Sequence, residues 1–270
     1  VTAPIRLLGL DFATTDLAET ASRLLARPPD APFGYVVTPN ADHLVRLHAD
    51  PGLAAIYADA WLRLLDSRVV AGLAYLRGLP VPPVVPGSDL CAHLLARLRG
   101  QRVTIIGLAP TFLPRLVERY GLATPAHHDP PMHFDHDPAA FAATVQFALR
   151  HPARFTFLAV GSPRQERLAA AIATTGTARG IGLCVGASLE FLTGARRRAP
   201  MWMQRLGLEW LHRLAGDPSR LARRYLVDSP AIIPLLLRER AGRDGGSLST
   251  DDSGNTASTS RPSRPIKLPR

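Results

Sequence analysis

Asp66 stands in the stretch LRLLDSRVV, directly after a short apolar run. At the end of a strand its carboxylate would reach the ligand-facing edge of a sheet and could take a proton from a hydroxyl nucleophile. The bland alternative is a turn-forming or helix-capping Asp. Thr38 and Asn40 occupy the equivalent place after the run GYVV at 34–37, where they could hydrogen-bond a sugar or cap the helix that follows. The hexapeptide GSPRQE at 161–166 combines backbone donors from Gly161 with Arg164, suited to phosphate, and Gln165, suited to a base or sugar edge. The same residues also make a helix start, with Ser162 as cap, Pro163 in first position and Glu166 in the first turn, and the two readings are compatible. His127, His128, His133 and His136 lie among Asp129, Asp135 and Asp137, but in a Pro-rich segment without the helical HExxH spacing of a metal site. A solvated loop is expected there.

These residues need elements to hold them. Short β-rich runs alternate with helical periods through the first 190 residues. GYVV at 34–37 leads through Thr38-Pro39-Asn40 into a helix expected over 41–56, and 60–65 forms a second short strand ending at Asp66. RVTIIG at 102–107 precedes a helix reaching about Arg119, FTFLAVG at 155–161 precedes one reaching about Thr174, and IGLCVG at 181–186 is the last strand. Apolar strands alternating with helices predict an α/β fold, a Rossmann-like, mostly parallel sheet covered on both faces. Ligands in such sheets sit at the carboxyl ends of strands beside helix N-termini, and Gly107 and Gly161 both fall there, as a nucleotide diphosphate would require. Neither GxGxxG nor GxxxxGK[ST] is present, so an ordinary dehydrogenase or P-loop NTPase is not indicated.

The chain has 270 residues, 46% of them hydrophobic, enough for one substantial core. Its net charge of +10 is carried by arginine, Lys267 being the single lysine. The charge clusters: residues 195–240 hold ten arginines against Glu209, Asp217, Asp228 and Glu239, a net +6. Trp202, Leu206, Leu208, Trp210, Leu211 and Leu214 can form an apolar stripe flanked by those arginines. This pattern fits an anionic membrane interface, or more plainly a core-facing helix with a solvated charged face. AIIPLLL at 231–237 adds an apolar patch able to dip into a bilayer. No apolar run reaches the ~18 residues of a membrane span and no leader is recognised, so any membrane contact is expected to be peripheral. Cys91 and Cys184 lie in apolar runs without metal-ligand spacing, as buried thiols of a cytoplasmic protein would. From 241 the composition turns to Gly, Ser, Thr, Asp and Pro, which predicts a disordered tail.

Taken in order, TPN (38–40), Asp66 after a strand, PGSDL (86–90), GSPRQE (161–166), GASLEFLTG (186–194), RRAPMWMQRLGLEWLHRL (197–214) and DPSRLARRY (217–225) resemble the WecG/TagA/CpsF family of glycosyltransferases. The resemblance spans about residues 5–238 and is most specific in its RAP, GLEW and PxRxxRY elements. It implies an inverting, metal-independent enzyme without cofactor that moves a sugar from a UDP-sugar donor to a polyprenyl-diphosphate-linked acceptor. The implied place is the inner face of the cytoplasmic membrane, in bacterial cell-surface polysaccharide synthesis. It also implies that Asp66 is the catalytic base, that Thr38, Asn40 and Gln165 are polar residues of the pocket, and that Arg213, Arg220 and Arg224 close over the site and engage the diphosphate. One departure stands out. Family members commonly carry Pro-Asp-Gly at the base, whereas this chain reads Leu65-Asp66-Ser67; Gly would allow positive φ and close ligand approach.

The expected organisation is a glycosyltransferase core at 1–194, a basic helical appendage at 195–240 and a tail at 241–270, with self-association into a homo-oligomer compatible with it. Two other readings compete. One is a catalytically inactive scaffold of a polysaccharide assembly complex. The other is an arginine-rich nucleic-acid binder, disfavoured because no nucleic-acid module is recognisable and the apolar stripe suits lipid better.

Overall fold

A computed structural model describes residues 3–239. Six parallel strands form its sheet, in the order β4-β3-β8-β7-β5-β6. They are β3 (Gly34–Val37), β4 (Leu62–Arg63), β5 (Thr104–Gly107), β6 (Ala126–His128), β7 (Phe155–Ala159) and β8 (Ile181–Cys184). The central runs GYVV, TIIG and IGLC are buried along their whole length, as strands covered on both faces must be. Their side chains alternate between two cores: Tyr35, Val37, Ile106, Leu158 and Cys184 enter one, while Val36, Ile105, Phe157 and Leu183 enter the other. Burying each large side chain contributes roughly 1.5–3 kcal/mol. Cys91 packs in the second core, so the sheet separates it from Cys184, and both thiols are free and buried.

The first core is covered by α2 (Ala41–Ala49), α3 (Pro51–Ala58), α7 (Pro138–Arg150) and α8 (Arg164–Thr174), the second by α1 (Leu17–Ala26), α5 (Gly87–Leu95), α6 (Leu113–Tyr120) and α9 (Ser188–Thr193). The helix expected over 41–56 is two helices. Pro51 has no N–H to continue α2, and Asp50 instead caps α3 by accepting from the Leu53 amide. A hairpin of β1 (Ile5–Leu7) and β2 (Leu10–Phe12), unforeseen in the sequence, lies beside β4, where the Ala13 amide donates to Arg63 O. The His-rich segment is not simply a loop either. His127 and His128 are on edge strand β6, His127 bonding the Gly107 and Leu108 carbonyls and His128 stacking on Phe147.

Of the strand expected over 60–65 only the two residues of β4 are regular, but beyond it the Asp66 amide still donates to Pro39 O at 3.0 Å. That bond brings the ends of two neighbouring strands together. The helix α4 (Arg68–Leu76) begins immediately afterwards.

The basic segment folds as α10 (Met201–Arg205), α11 (Glu209–Gly216), α12 (Pro218–Arg223) and α13 (Ile232–Arg238). The continuous apolar stripe expected over 202–214 is interrupted, because Gly207 takes φ +72° and separates α10 from α11. The 231–237 patch is also divided: Ile232 and Leu236 are buried in the first core, against α2 and α4, while Ile233 and Leu237 are exposed. None of the helices in the described residues is long and apolar enough to cross a membrane. The expected tail at 241–270 lies outside the described residues.

Candidate active site

The loops that leave the carboxyl ends of β3, β4, β7 and β8 meet the N-terminus of α5 and the helices α10 to α13 around one cleft of about 1280 Å³. Parallel sheets place their ligands at this edge because successive helix N-termini point there.

At its floor Thr38, Asp66, Gly87 and Ser188 converge. A Cβ placed on Gly87 would lie 3.1 Å from Thr38 Oγ1, 3.5 Å from Ser188 Oγ and 3.6 Å from Asp66 Oδ2, so these three polar side chains close on the Gly87 backbone and only the Thr38 hydroxyl would be crowded by a side chain there. The Gly87 amide donates to Asp66 Oδ2 at 3.1 Å, and Thr38 Oγ1 donates to Cys184 O at 3.4 Å. Asn40 also lines the cleft, while its side chain caps α2 through the His43 amide. Its capping reading is met, and the cap leaves it at the cleft.

Burial pushes the Asp66 carboxyl up to about 7; the Gly87 amide and the charge of Arg213 pull it down, and Glu209 and Asp89 push it further up. A carboxylate poised there is matched to proton abstraction near neutral pH. Ser67, the residue that stands where the family pattern has Gly, has φ −157°, an extended backbone open to any residue. Its Oγ accepts from the Val70 amide and starts α4, which gives the serine a capping role that glycine cannot fill.

Arg213 reaches the same cleft from α11. Its guanidinium bonds Glu209 at 2.8 Å and lies 4.8 Å above the Phe191 ring. Burial alone would lower its pKa, but Glu209, Tyr225 and Asp66 outweigh that and raise it. Arg198 pairs with Asp89 of the PGSDL stretch at 2.5 Å, and Arg196 pairs with Glu190. These two pairs fasten the start of the basic segment to the cleft's rim. Arg220 lies in α12 and Arg224 directly follows it, and their side chains lie outside the described residues.

The GSPRQE turn divides its residues between ligand side and core. Gly161 and Arg164 line the cleft. Gln165 also lines it, though almost fully buried: its Oε1 accepts the Gly186 amide at 2.7 Å, and its Nε2 donates to Glu166 Oε1 at 2.8 Å. Glu166 is not brought to the cleft at all. It is fully buried and accepts from Tyr57 OH at 3.0 Å, and that hydroxyl also bonds His43 Nδ1 at 3.1 Å. Burial raises the Glu166 pKa, while hydrogen bonds from Gln165, Tyr57 and Ser162 act against the rise. This network braces the β8–α9 turn and reaches His43 at the cleft wall. Gly107 is likewise outside the cleft lining, and its φ of +89° and close approach to Ala159 give it a packing reason instead.

Sequence reasoning passed over Gly87, Ser188 and Arg198 as individual residues. Their signal was indirect, since each sits inside a motif (PGSDL, GASLEFLTG, RAP) whose order was informative while its single residues were not. What the assembled cleft brings together is a carboxyl whose pKa is raised to about 7, small polar side chains and several arginines, groups able to take a proton, bond hydroxyls and balance anionic charge. The family model described as Glycosyl transferase WecG/TagA/CpsF family matches residues 5–245 of the chain.

Proposed function

The chain belongs to the WecG/TagA/CpsF family of glycosyltransferases, and on that premise we propose that it transfers a hexose or N-acetylhexosamine-type sugar from a UDP-sugar to a polyprenyl-diphosphate-linked acceptor, with inversion. The observation that carries this reading is Asp66, held by Gly87 on the floor of the cleft with its pKa near neutrality and Arg213 across from it. In the proposed step an acceptor hydroxyl loses its proton to Asp66 as its oxygen bonds the anomeric carbon. The bond from that carbon to the diphosphate breaks, and UDP leaves with the electron pair. Thr38 and Asn40 are suited to orient sugar hydroxyls, and Arg164, Arg196, Arg197 and Arg213 to balance charge building on the diphosphate.

Residues 195–240 take the role of a segment that closes the cleft where the protein meets an anionic membrane surface, at the inner face of the cytoplasmic membrane. Support comes from the net +6 of that segment and from Trp202, Leu206 and Leu211, all of them exposed. Cell-surface polysaccharide synthesis is the setting in which such a donor and acceptor meet. The test is UDP release by the purified protein over a panel of UDP-sugars, with and without a lipid-diphosphate-sugar acceptor, in EDTA. Acceptor-dependent release with one donor is expected; silence across the panel from folded protein given liposomes would favour a scaffold.

A further inference from the structure

We infer that α4, a helix of the core outside the basic segment, forms the centre of the surface that seats the protein on an anionic bilayer. The inference deepens the membrane reading above and rests on it.

The helix buries Val70 and Ala74 and turns Arg68, Val69, Gly72, Tyr75 and Leu76 outward. Those positions recur at helical spacing on one side, so the outer stripe is continuous. A surface helix ordinarily presents polar residues there. Here Tyr75 is 76% and Leu76 80% exposed, and the only charges on or next to the helix are Arg68 and Arg77.

The stripe continues into its neighbours at both ends. Gly207, just after α10, sits against the start of α4, where a Cβ would lie 3.4 Å from Arg68 Cβ and 3.6 Å from Val69 Cγ2. Trp202 of α10 and Leu206, the residue before Gly207, are exposed, at 60% and 68%. At the other end Arg77 Nη2 donates to Leu237 O at 3.2 Å, joining α4 to α13 with its exposed Ile233 and Leu237. The sequences of α4, α10 and α13 contain no Asp or Glu, and Glu239 just beyond α13 bonds the Leu8 amide.

Large apolar side chains interspersed with cations and free of acids match the headgroup and upper acyl region of an anionic leaflet. A second copy docked through the same face would set arginine against arginine across a two-fold axis. The bilayer therefore satisfies both the charge and the apolar area. Because α4 starts one residue after the Asp66–Ser67 step, and Arg68 and Val69 also line the cleft, this seating would bring the mouth of the cleft to headgroup depth.

The experiment is co-sedimentation of the full chain with phosphatidylcholine vesicles with and without phosphatidylglycerol, comparing wild type, Tyr75→Glu, Leu76→Glu and Trp202→Glu. Tyr75 and Leu76 are outside the cleft and solvent-exposed, so UDP release with a water-soluble short-chain acceptor should stay within about twofold of wild type. Each α4 variant is expected to weaken partitioning to the anionic vesicles about tenfold, through one lost apolar contact and one repelling charge. A fluorophore on Leu76→Cys, addressable because Cys91 and Cys184 are buried, should be quenched by nitroxide-labelled lipid. Unchanged partitioning of both α4 variants alongside release of Trp202→Glu would confine the contact to the basic segment; that overturns this inference and leaves the membrane reading standing. Wild type that does not sediment with either vesicle overturns both. A change in oligomeric state by sedimentation velocity, with vesicle binding intact, would give α4 to self-association and also overturn it.

Discussion

Asp66 Oδ2 accepts the backbone N–H of Gly87 at 3.1 Å, and this bond joins the end of β4 to the first turn of α5. It commits one carboxylate oxygen to the scaffold and fixes the plane of the group. In the proposed reaction Oδ1 is then the atom that takes the proton. A base anchored by a single amide keeps most of the pKa rise that burial produces, whereas several donors would hold it down.

The rate should therefore follow ionisation of Asp66. We expect kcat/KM to rise with pH on a limb with an apparent pKa near 7. Asp66→Asn should lower kcat by roughly 10²–10⁴-fold and leave UDP-sugar affinity, measured by calorimetry, within a few-fold. A pH profile that is flat from acid to neutral, or a mutant with wild-type turnover, removes Asp66 from proton transfer.

The same shift has a sign for stability. The native carboxyl holds its proton up to about 7, while the unfolded one releases it near 3.8. The native state thus binds more protons in that interval, and this group's contribution to stability is greatest at low pH and declines as pH rises to about 7. Asp66→Asn should be more stable than wild type at pH ~8, by on the order of 1–2 kcal/mol after discounting for water in the cleft. That is about 2–4 °C in Tm per kcal/mol. Thermal melts at pH ~4 should show almost no difference between the two proteins.

The strands at 34–37, 104–107, 155–159 and 181–184 were legible because each is a buried apolar run closed by a turn residue, a pattern that local sequence carries in full. Edge strand β6 was not legible, since Ala-His-His is half-buried and its histidines bond partners distant in sequence, His127 the Gly107 and Leu108 carbonyls and His128 the Thr144 hydroxyl. Pro51 and Gly207 each broke a periodic run that the apolar spacing alone would continue. Asp66, Thr38 and Asn40 could be placed at one edge because parallel topology puts all strand ends together. The inward turn of Glu166 could not, because helical phase over two residues separates the cleft-lining Arg164 from the core.

Gly87 offers a test of the floor that leaves the base in place. Its backbone does not need positive φ, so alanine is conformationally permitted, but the new methyl would sit 3.1 Å from Thr38 Oγ1. Thr38 must shift by a few tenths of an ångström. Gly87→Ala is expected to cost about 1–2 kcal/mol in urea denaturation while reducing kcat/KM by tenfold or more. Full activity would show that Thr38 and Asp66 tolerate displacement.

Tyr57 links His43 at the cleft wall to Glu166 in the core. Removing its hydroxyl leaves a buried carboxyl short of a donor, which costs about 1–3 kcal/mol. Tyr57→Phe should destabilise by that amount, and kcat/KM should fall several-fold as Gln165 loosens its hold on the Gly186 amide. A double-mutant cycle with Glu166→Gln should give a coupling of about 0.5–3 kcal/mol. Additive effects would dissolve the network into separate contacts.

Gly107 and Gly161 look alike in sequence, each closing an apolar strand, yet their surroundings differ. Both have positive φ, at +89° and +79°. A Cβ on Gly107 would meet the Ala159 carbonyl carbon and oxygen at 2.8 Å, whereas on Gly161 it would approach only the mobile end of Arg164, at 3.6 Å. Backbone cannot yield as a guanidinium can. Gly107→Ala is therefore expected to lose more than about 3 kcal/mol and express poorly. Gly161→Ala should lose about 1–2 kcal/mol from strain alone, and because Gly161 lines the cleft its KM for the donor should rise. Equal destabilisation of the two, with donor KM unmoved in Gly161→Ala, would place both glycines in the scaffold and neither in the site.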